Sequence, residues 1–369
     1  MGKCCDRIWH GVNLGNWLVL ERWMSPSLFE GSLANDVYGL ERHVAPEVLQ
    51  PRLCAHYQTY VTQKTFETLA GLGVDLVRLP VPYWVFGSAH HEPVVQYVDK
   101  AFEWARKTGI RVLLDLHTVP GSQNGFDNGG VCGLVTWHLD SQKVDFAIDV
   151  VRRLAERYGK RAELFGIEPL NEPVNRVMFR HASAGTHGKD YPERVAASQP
   201  IPRSFLRAYY QRCYGAIRAA CGEEVAVVLH DHFCLRAWNR FMRPQDGYAN
   251  VWIDTHQYAG FCDGWMVRKR VGLYEWMVRH VLGPRVARAA RHHPVLVGEW
   301  SCANHIEGLR SKGEHERKAT YLRLWNVQVA TWNRCNGGCF WSLSNDGPYR
   351  EGWSLLGMAK RGWVSYDAS

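Results

Sequence analysis

The sequence predicts a single (β/α)8 barrel, a parallel sheet closed on itself and ringed by helices. Three observations support this. Short β-branched or apolar runs alternate with amphipathic segments from end to end of the chain. There are eight such runs, the number that closes this barrel. Several amphipathic segments stop at glycine, the residue that most readily ends a helix: Gly71 and Gly73, Gly109, Gly159 and Gly222.

In chain order, strand one is read at residues 8–14 and is followed by a long connection, 18–58, that contains Pro26, Pro46 and Pro51. A helical pattern at 61–72 leads to strand two at 74–79, and another at 97–108 leads to strand three at 111–116. The pattern at 144–158 precedes strand four at 164–170. A second long segment, 174–202, is rich in small and polar residues and comes before a helix at 205–220. Strands five, six and seven are read at 225–229, 251–255 and 295–297, and a helix at 314–332 leads to strand eight at 338–342. The rival fold is an open doubly wound sheet, which ordinarily carries a glycine-rich phosphate loop after its first strand. Here Gly11-Val12-Asn13-Leu14-Gly15-Asn16-Trp17 has the glycines but no helix pattern after it. The chain therefore reads as one domain, 1–369, with 174–202 a loop insertion beside the active face; loops of that length are functional or mobile.

Composition excludes several classes. Hydrophobic residues make up 46% of 369, too many for a disordered chain. No run reaches the roughly 18 apolar residues of a membrane span. The net charge of +8 is spread along the chain, without the basic stripe and interleaved aromatics of a nucleic-acid surface. Trp is the outlier, 16 in number: a barrel core absorbs indoles, and so does a site where pyranose rings stack. The 11 cysteines include Cys213 and Cys221 on a helix and Cys339 on a strand, with no CxxC pair, so buried thiols are expected and a zinc site is not. The run Met1-Gly2-Lys3-Cys4-Cys5-Asp6 has no apolar signal-peptide core, and Asp6 stands where a myristoylation signal has Ser or Thr. These features, with the odd cysteine count, lead us to expect a cytoplasmic monomer whose Cys4-Cys5 end is disordered.

In such barrels reactive side chains come from the C-terminal ends of the strands. In order those ends offer Asn13, with Trp17 and Glu21 beyond it; Arg78; Asp115 and His117; Asn171-Glu172; His230, Asp231 and His232; His256 and Tyr258; Glu299; and Trp341. A single histidine at a strand end is more often structural than catalytic. The whole set crowded on one face is hard to explain as structure. Glu172 and Glu299 close strands four and seven on facing sides of the ring, and two carboxyls converging there are what glycosidic cleavage needs. One stays protonated to donate to the leaving oxygen; the other is ionised to attack the anomeric carbon. Arg78 is the cation expected to keep Glu299 ionised, and Tyr258 the hydrogen-bond donor to it. Asn171 is placed to bind a sugar 2-OH, and His117 and His256 to orient hydroxyls or carboxylates.

Six motifs then establish a likeness: Leu76-Val77-Arg78-Leu79-Pro80, Asp115-Leu116-His117, Leu170-Asn171-Glu172-Pro173, His256-Gln257-Tyr258, Val297-Gly298-Glu299-Trp300 and Phe340-Trp341-Ser342. In this order they resemble glycoside hydrolase family 5 over nearly the whole chain. A closer similarity, to the fungal exo-β-1,3-glucanases of that family, rests on Gly11-Val12-Asn13-Leu14-Gly15-Asn16-Trp17-Leu18-Val19-Leu20-Glu21, Ser25-Pro26-Ser27-Leu28-Phe29 and Pro120-Gly121-Ser122-Gln123-Asn124-Gly125-Phe126-Asp127-Asn128. The resemblance implies a retaining enzyme, needing no cofactor or metal, that acts from the non-reducing end of β-1,3-glucan or a related β-glucoside. Glu172 is then the acid/base and Glu299 the nucleophile. Glu21 binds the terminal glucose and closes the pocket, Phe126 and Phe261 clamp the next sugar, and Asn128 and Trp341 join the substrate-binding set. The resemblance also weighs against the cytoplasm, since those enzymes are secreted.

There are departures from that pattern. Asn16 stands where the group has glycine, and Trp341-Ser342-Leu343-Ser344-Asn345-Asp346 lacks its usual Trp and Lys. Segment 174–202 is longer than expected and should overhang the leaving-group side. These differences leave open transglycosylation, or a β-glucosidase acting on β-1,6-glucan, a glycolipid or a diglycoside. A non-catalytic sugar-binding barrel is disfavoured because both glutamates are present. His230 and His232 alternate along a strand and should not converge on a metal. The pairs His90-His91 and His292-His293 read as surface loop residues, and Asp231 as a supporting carboxylate outside the catalytic pair. Trp23, Trp265 and Trp353 read equally as sugar platforms and as packing.

Overall fold

The computed structural model describes residues 7–88, 91–347 and 350–366. Eight parallel strands close in sequence order: β1 Trp9–Asn13, β2 Leu76–Val81, β3 Arg111–Leu116, β4 Leu164–Glu168, β5 Ala226–His230, β6 Val251–His256, β7 Val295–Trp300 and β8 Gly337–Phe340. The ring is sealed where β1 pairs with β8, Trp9 against Gly337 and Val12 against Phe340. Every predicted strand is present. The boundaries move by up to three residues because hydrogen-bonding register, not apolar content, ends a strand.

Alternation divides the strands between two cores. Inward residues Trp9, Leu76, Leu113, Phe165, Ala226, Val228, Trp252, Leu296 and Cys339 fill the bottom of the barrel. Outward residues such as Val77, Leu114, Ile167, Val227, Ile253 and Val297 pack under the helices. The helices stop for local reasons. Gln63–Gly71 begins in a capping box at Thr62. Val95–Thr108 ends at Gly109, whose φ of +76° suits glycine. Eight of the tryptophans, from Trp17 to Trp363, are almost wholly buried, so most of the Trp excess is core.

Three expectations need correction. The connection 18–58 is not a bare loop: it holds helices Val37–His43 and Pro46–Thr59. Pro46 opens the second of these, where its missing N–H costs nothing. His293 is buried, and His91 stacks on Trp84 at 4.1 Å and pairs with Glu41 at 3.0 Å, so neither is a free surface residue; His292 is exposed. Cys4, Cys5 and His90 lie outside the described residues. Of the cysteines described, all are free thiols; Cys213, Cys221 and Cys339 are buried, and Cys54 and Cys262 are exposed.

Candidate active site

Above the apolar layer the barrel interior turns ionic. Arg78, wholly buried on β2, faces four carboxylates: Glu168 at 2.8 Å, Glu299 at 2.9 Å, Asp115 at 3.1 Å and Asp254 at 3.7 Å. It also donates to Oδ1 of Asn13 at 3.1 Å and Oδ1 of Asn171 at 2.8 Å. Asn13 donates in turn to the carbonyl of Gly298 at 2.8 Å, which ties β1 to β7. Gly298 has to be glycine: its N–H donates to Asp254 Oδ1 at 2.6 Å, and a Cβ would lie 2.1 Å from the same carboxylate. One cation does not offset four buried anions. Burial pushes Glu168 well above its ordinary value, whereas His256 and Arg78 hold Asp254 low against burial.

The mouth brings the predicted residues together. Glu172 and Glu299 meet at one imidazole. His256 Nδ1 is 2.8 Å from Glu172 Oε1 and 3.4 Å from Glu299 Oε2, and its Nε2 is 3.2 Å from Asp254 Oδ2. That shared nitrogen caps the separation of the two carboxyl oxygens at about 6 Å, under the ~6.5–9.5 Å of an inverting pair and close to the ~5 Å of a retaining one. Burial pulls His256 down, yet the surrounding carboxylates raise it well above the usual histidine range. The ring is therefore an imidazolium donating from both nitrogens. Burial pushes Glu172 up, but the hydrogen bond and charge of His256, with Asn128 Nδ2 donating at 3.0 Å, bring it down to about 2. Glu299 moves the other way: burial raises it, helped by Glu172 and opposed by His256, Arg78 and His117, so the order is the reverse of the one expected, in which Glu172 keeps the proton and Arg78 keeps Glu299 ionised; His256 sits closer to Glu172, at 2.8 Å against 3.4 Å. Tyr258 Oη donates to Glu299 Oε2 at 2.6 Å, and burial beside that carboxylate keeps the phenol neutral.

The remaining predicted residues surround this pair. His117 meets Asp115 through Nδ1 at 2.5 Å and stacks on Trp341, with centroids 5.7 Å apart. Gln123 spans the carbonyls of His117 and Asn171 at 2.8 and 2.9 Å and locks the ends of β3 and β4 together. Glu172 itself sits at φ +45°, a conformation that non-glycine residues seldom adopt. The peptide between Trp341 and Ser342 is cis. Glu21 is buried and accepts from Trp23 Nε1 at 2.9 Å; burial and nearby Asp127 raise its carboxyl well above the ordinary value.

A cavity of about 1190 Å³ opens over these groups. Glu21, Phe126, Asn128, Tyr258, Phe261, Trp341 and both catalytic candidates line it, as do Trp23 and Trp353. Phe126 stacks on His187 at 5.0 Å, and Phe261 lies against Tyr258 at 5.1 Å. Among the described residues no ring contact joins the two phenylalanines. Segment 174–202 folds as a short helix at Arg176–Met178 that runs into a π-helical turn at Phe179–His187, and its Met178, Ala182 and His187 form one wall of the cavity. Trp265 lies apart from the cavity lining, 59% exposed.

The metal question turns on the donor set. Glu172, His230 and His256 hold ligand atoms within 4.8 Å of one another, as do Glu168, Asp254 and His256. Both sets need a lone pair from His256, whose two nitrogens here lie at hydrogen-bond distance from Glu172 and Asp254. His230 joins this cluster, its ring 4.6 Å from His256, whereas His232 belongs to a separate buried environment. Asp231 accepts from Thr255 Oγ1 at 2.8 Å, outside the pair; burial raises it to about 7. Two of the four carboxylates around Arg78, Glu168 and Asp254, were not singled out in the sequence. Their signal was available: each is a charge inside an apolar strand pattern, which a barrel can bury only beside a cation.

The family model for cellulase, glycosyl hydrolase family 5, matches residues 39–344. The chain is 33% identical to a glucan 1,3-beta-glucosidase of Blumeria graminis over 81% of this chain and 67% of that protein. It is 30% identical to a probable glucan 1,3-beta-glucosidase A of Aspergillus fumigatus over 95% and 86% of the two. Among solved structures it superposes on the rutinosidase of Aspergillus niger with a TM-score of 0.75 at 19% identity, covering 98% of each chain, a likeness of fold. The family match begins in the helices before β2 and runs past the cis peptide after β8, so that every strand from which Arg78, Glu172, His256 and Glu299 project lies inside it; the chain belongs to glycosyl hydrolase family 5 and is a glycoside hydrolase.

Proposed function

We propose that this glycoside hydrolase is a retaining exo-β-1,3-glucanase that releases glucose from the non-reducing end of β-1,3-glucan. One observation supports the mechanism above all: Glu172, just past β4, and Glu299, on β7, share the ring of His256, and only Glu299 is also held by Arg78 and Tyr258. Glu299 attacks the anomeric carbon, the glycosidic C–O bond breaks, and Glu172 protonates the departing oxygen. Before substrate enters, that proton resides on His256 and reaches Glu172 across their 2.8 Å hydrogen bond. In the second step Glu172 takes a proton from water, the water oxygen bonds to the anomeric carbon, and Glu299 leaves as carboxylate.

Support for exo action comes from Glu21, seated in the cavity with Trp23 bound to it. Support for the linkage comes from the names of the fungal relatives. Phe126 and Phe261 serve as platforms for the sugar beyond the scissile bond, and Asn128 and Trp341 line the cavity beside the terminal glucose, whereas the expected contacts His117 and Asn171 are wholly buried outside the cavity lining and act by holding Asp115 and Arg78. The decisive experiment pairs Glu299→Gln with a product profile on β-1,3-, β-1,6- and β-1,4-linked glucans. The variant should fold as the parent does and lose nearly all turnover; substantial residual activity would remove Glu299 as nucleophile. Release of glucose alone from β-1,3-glucan is expected, and oligosaccharide products at high substrate would instead mark transglycosylation.

A further inference from the structure

The connection after β6 carries a surface that sugar cleavage does not use. Trp265 is 59% exposed, Val267 96% and Trp276 48%, with Leu273 exposed beside them. Arg268 and Arg270 stand exposed among these apolar groups. The two acidic residues within 259–283 are already engaged. Asp263 accepts from Tyr274 and His305 and lies 3.5 Å from Lys269, and Glu275 is held by Arg323 at 2.6 Å. Among the described residues neither Arg268 nor Arg270 has a carboxylate partner. The patch is therefore both apolar and cationic. It is also held at a fixed place, because His305, which anchors Asp263, lines the cavity, as do Phe261 and Cys262 at the root of the loop.

We propose that this surface docks the enzyme peripherally on an anionic lipid bilayer. A neutral glucan leaves most of the patch unexplained. The two indoles meet edge to face at 69°, not as a flat sugar platform; Val267 and Leu273 offer no flat face to a pyranose, and a neutral glucan leaves the charge of the arginines without an opposite charge. A bilayer interface uses every part. Indoles favour the headgroup level, aliphatic side chains the acyl boundary, and arginines pair with lipid phosphates. Among the described residues no helix is long and apolar enough to cross a membrane, and the proposed docking calls for none. It does not depend on which glucoside is cleaved.

The test is co-sedimentation of the full chain with phosphatidylcholine vesicles, with and without phosphatidylglycerol, alongside pull-down on insoluble β-1,3-glucan. The parent should sediment with the anionic vesicles and be released by salt. Arg268→Gln with Arg270→Gln, and separately Trp265→Ala with Trp276→Ala, should each weaken that partition about ten-fold or more. Neither pair should alter kcat/KM on a soluble aryl glucoside. Failure of the parent to bind anionic vesicles, or variants that bind as well as the parent, would overturn the proposal. Loss of glucan pull-down with vesicle binding untouched would identify the patch as a sugar surface instead.

Discussion

Asn16 shows how a side chain can use a backbone conformation that favours glycine. It sits at φ +63°, where glycine is at ease and asparagine is among the tolerated exceptions. Its side chain adds what glycine cannot: Oδ1 accepts from the N–H of Glu21 at 2.8 Å, and Nδ2 donates to Ser25 at 2.7 Å, so the residue expected to grip the terminal glucose is fixed at its backbone. At this scale the pH dependence of the nucleophile can be worked out. Glu299 lies above the ordinary value of 4.5 because it is buried, and Tyr258, as a donor to the carboxylate, favours its charged form. Tyr258→Phe should therefore move the acid limb of kcat/KM to higher pH while also lowering its plateau. A limb that stays in place or moves down in a pH–rate series would show that Glu299 does not set it. The residues legible in the sequence were those at strand ends, because there a polar group in an otherwise apolar pattern has a place to act. The imidazolium that joins the two glutamates was not legible, since it depends on three carboxylates meeting one ring.

At the scale of elements, the seam between the first and last strands rests on Gly337. Its φ is +85°, and a Cβ there would lie 2.0 Å from the carbonyl oxygen of Trp9. Gly337→Ala should cost at least about 3 kcal/mol in denaturant unfolding, more than the ~1 kcal/mol of an ordinary glycine replacement. A loss under 1 kcal/mol would mean that the seam can shift. The π-helical turn at Phe179–His187 permits a different test, because it presents Ala182 to the cavity. Ala182→Trp should raise KM for β-1,3-glucan about ten-fold or more by narrowing the acceptor side, with an activated aryl glucoside turned over as before; equal effects on both substrates would place Ala182 beside the glucose instead. The periodic helices and all eight strands could be read because a strong apolar period leaves few alternatives. Helices Val37–His43 and Pro46–Thr59 could not: the second carries Pro51 inside it and buries only Leu49 and Leu53. Its hold on the barrel is tertiary, including His56 at 2.8 Å from the carbonyl of Asn16.

For the molecule as a whole, Arg78 decides whether a barrel with this interior can exist. Removing one partner of a buried ion pair costs about 3–5 kcal/mol, and here one side chain serves four carboxylates. Arg78→Met should lose at least that much. The deficit should widen as pH rises, because carboxyls without their cation keep protons in the folded state that the unfolded state has released. Unfolding free energies at pH 5 and pH 8 would check this; a deficit independent of pH would mean that the carboxylates find another counter-ion.

Closure of the ring has a further consequence for how the protein comes into being. Trp9, among the first residues of the first strand, completes its hydrogen bonding only against Gly337 of the last. A chain emerging from the ribosome therefore carries seven strands with two raw edges until the eighth strand has been made, and those edges are open to other nascent chains throughout. The enzyme cannot be finished from its N-terminus forward. The ring closes only when the eighth strand reaches the first, and any agent that shields open strand edges during that interval would govern the yield of active molecules.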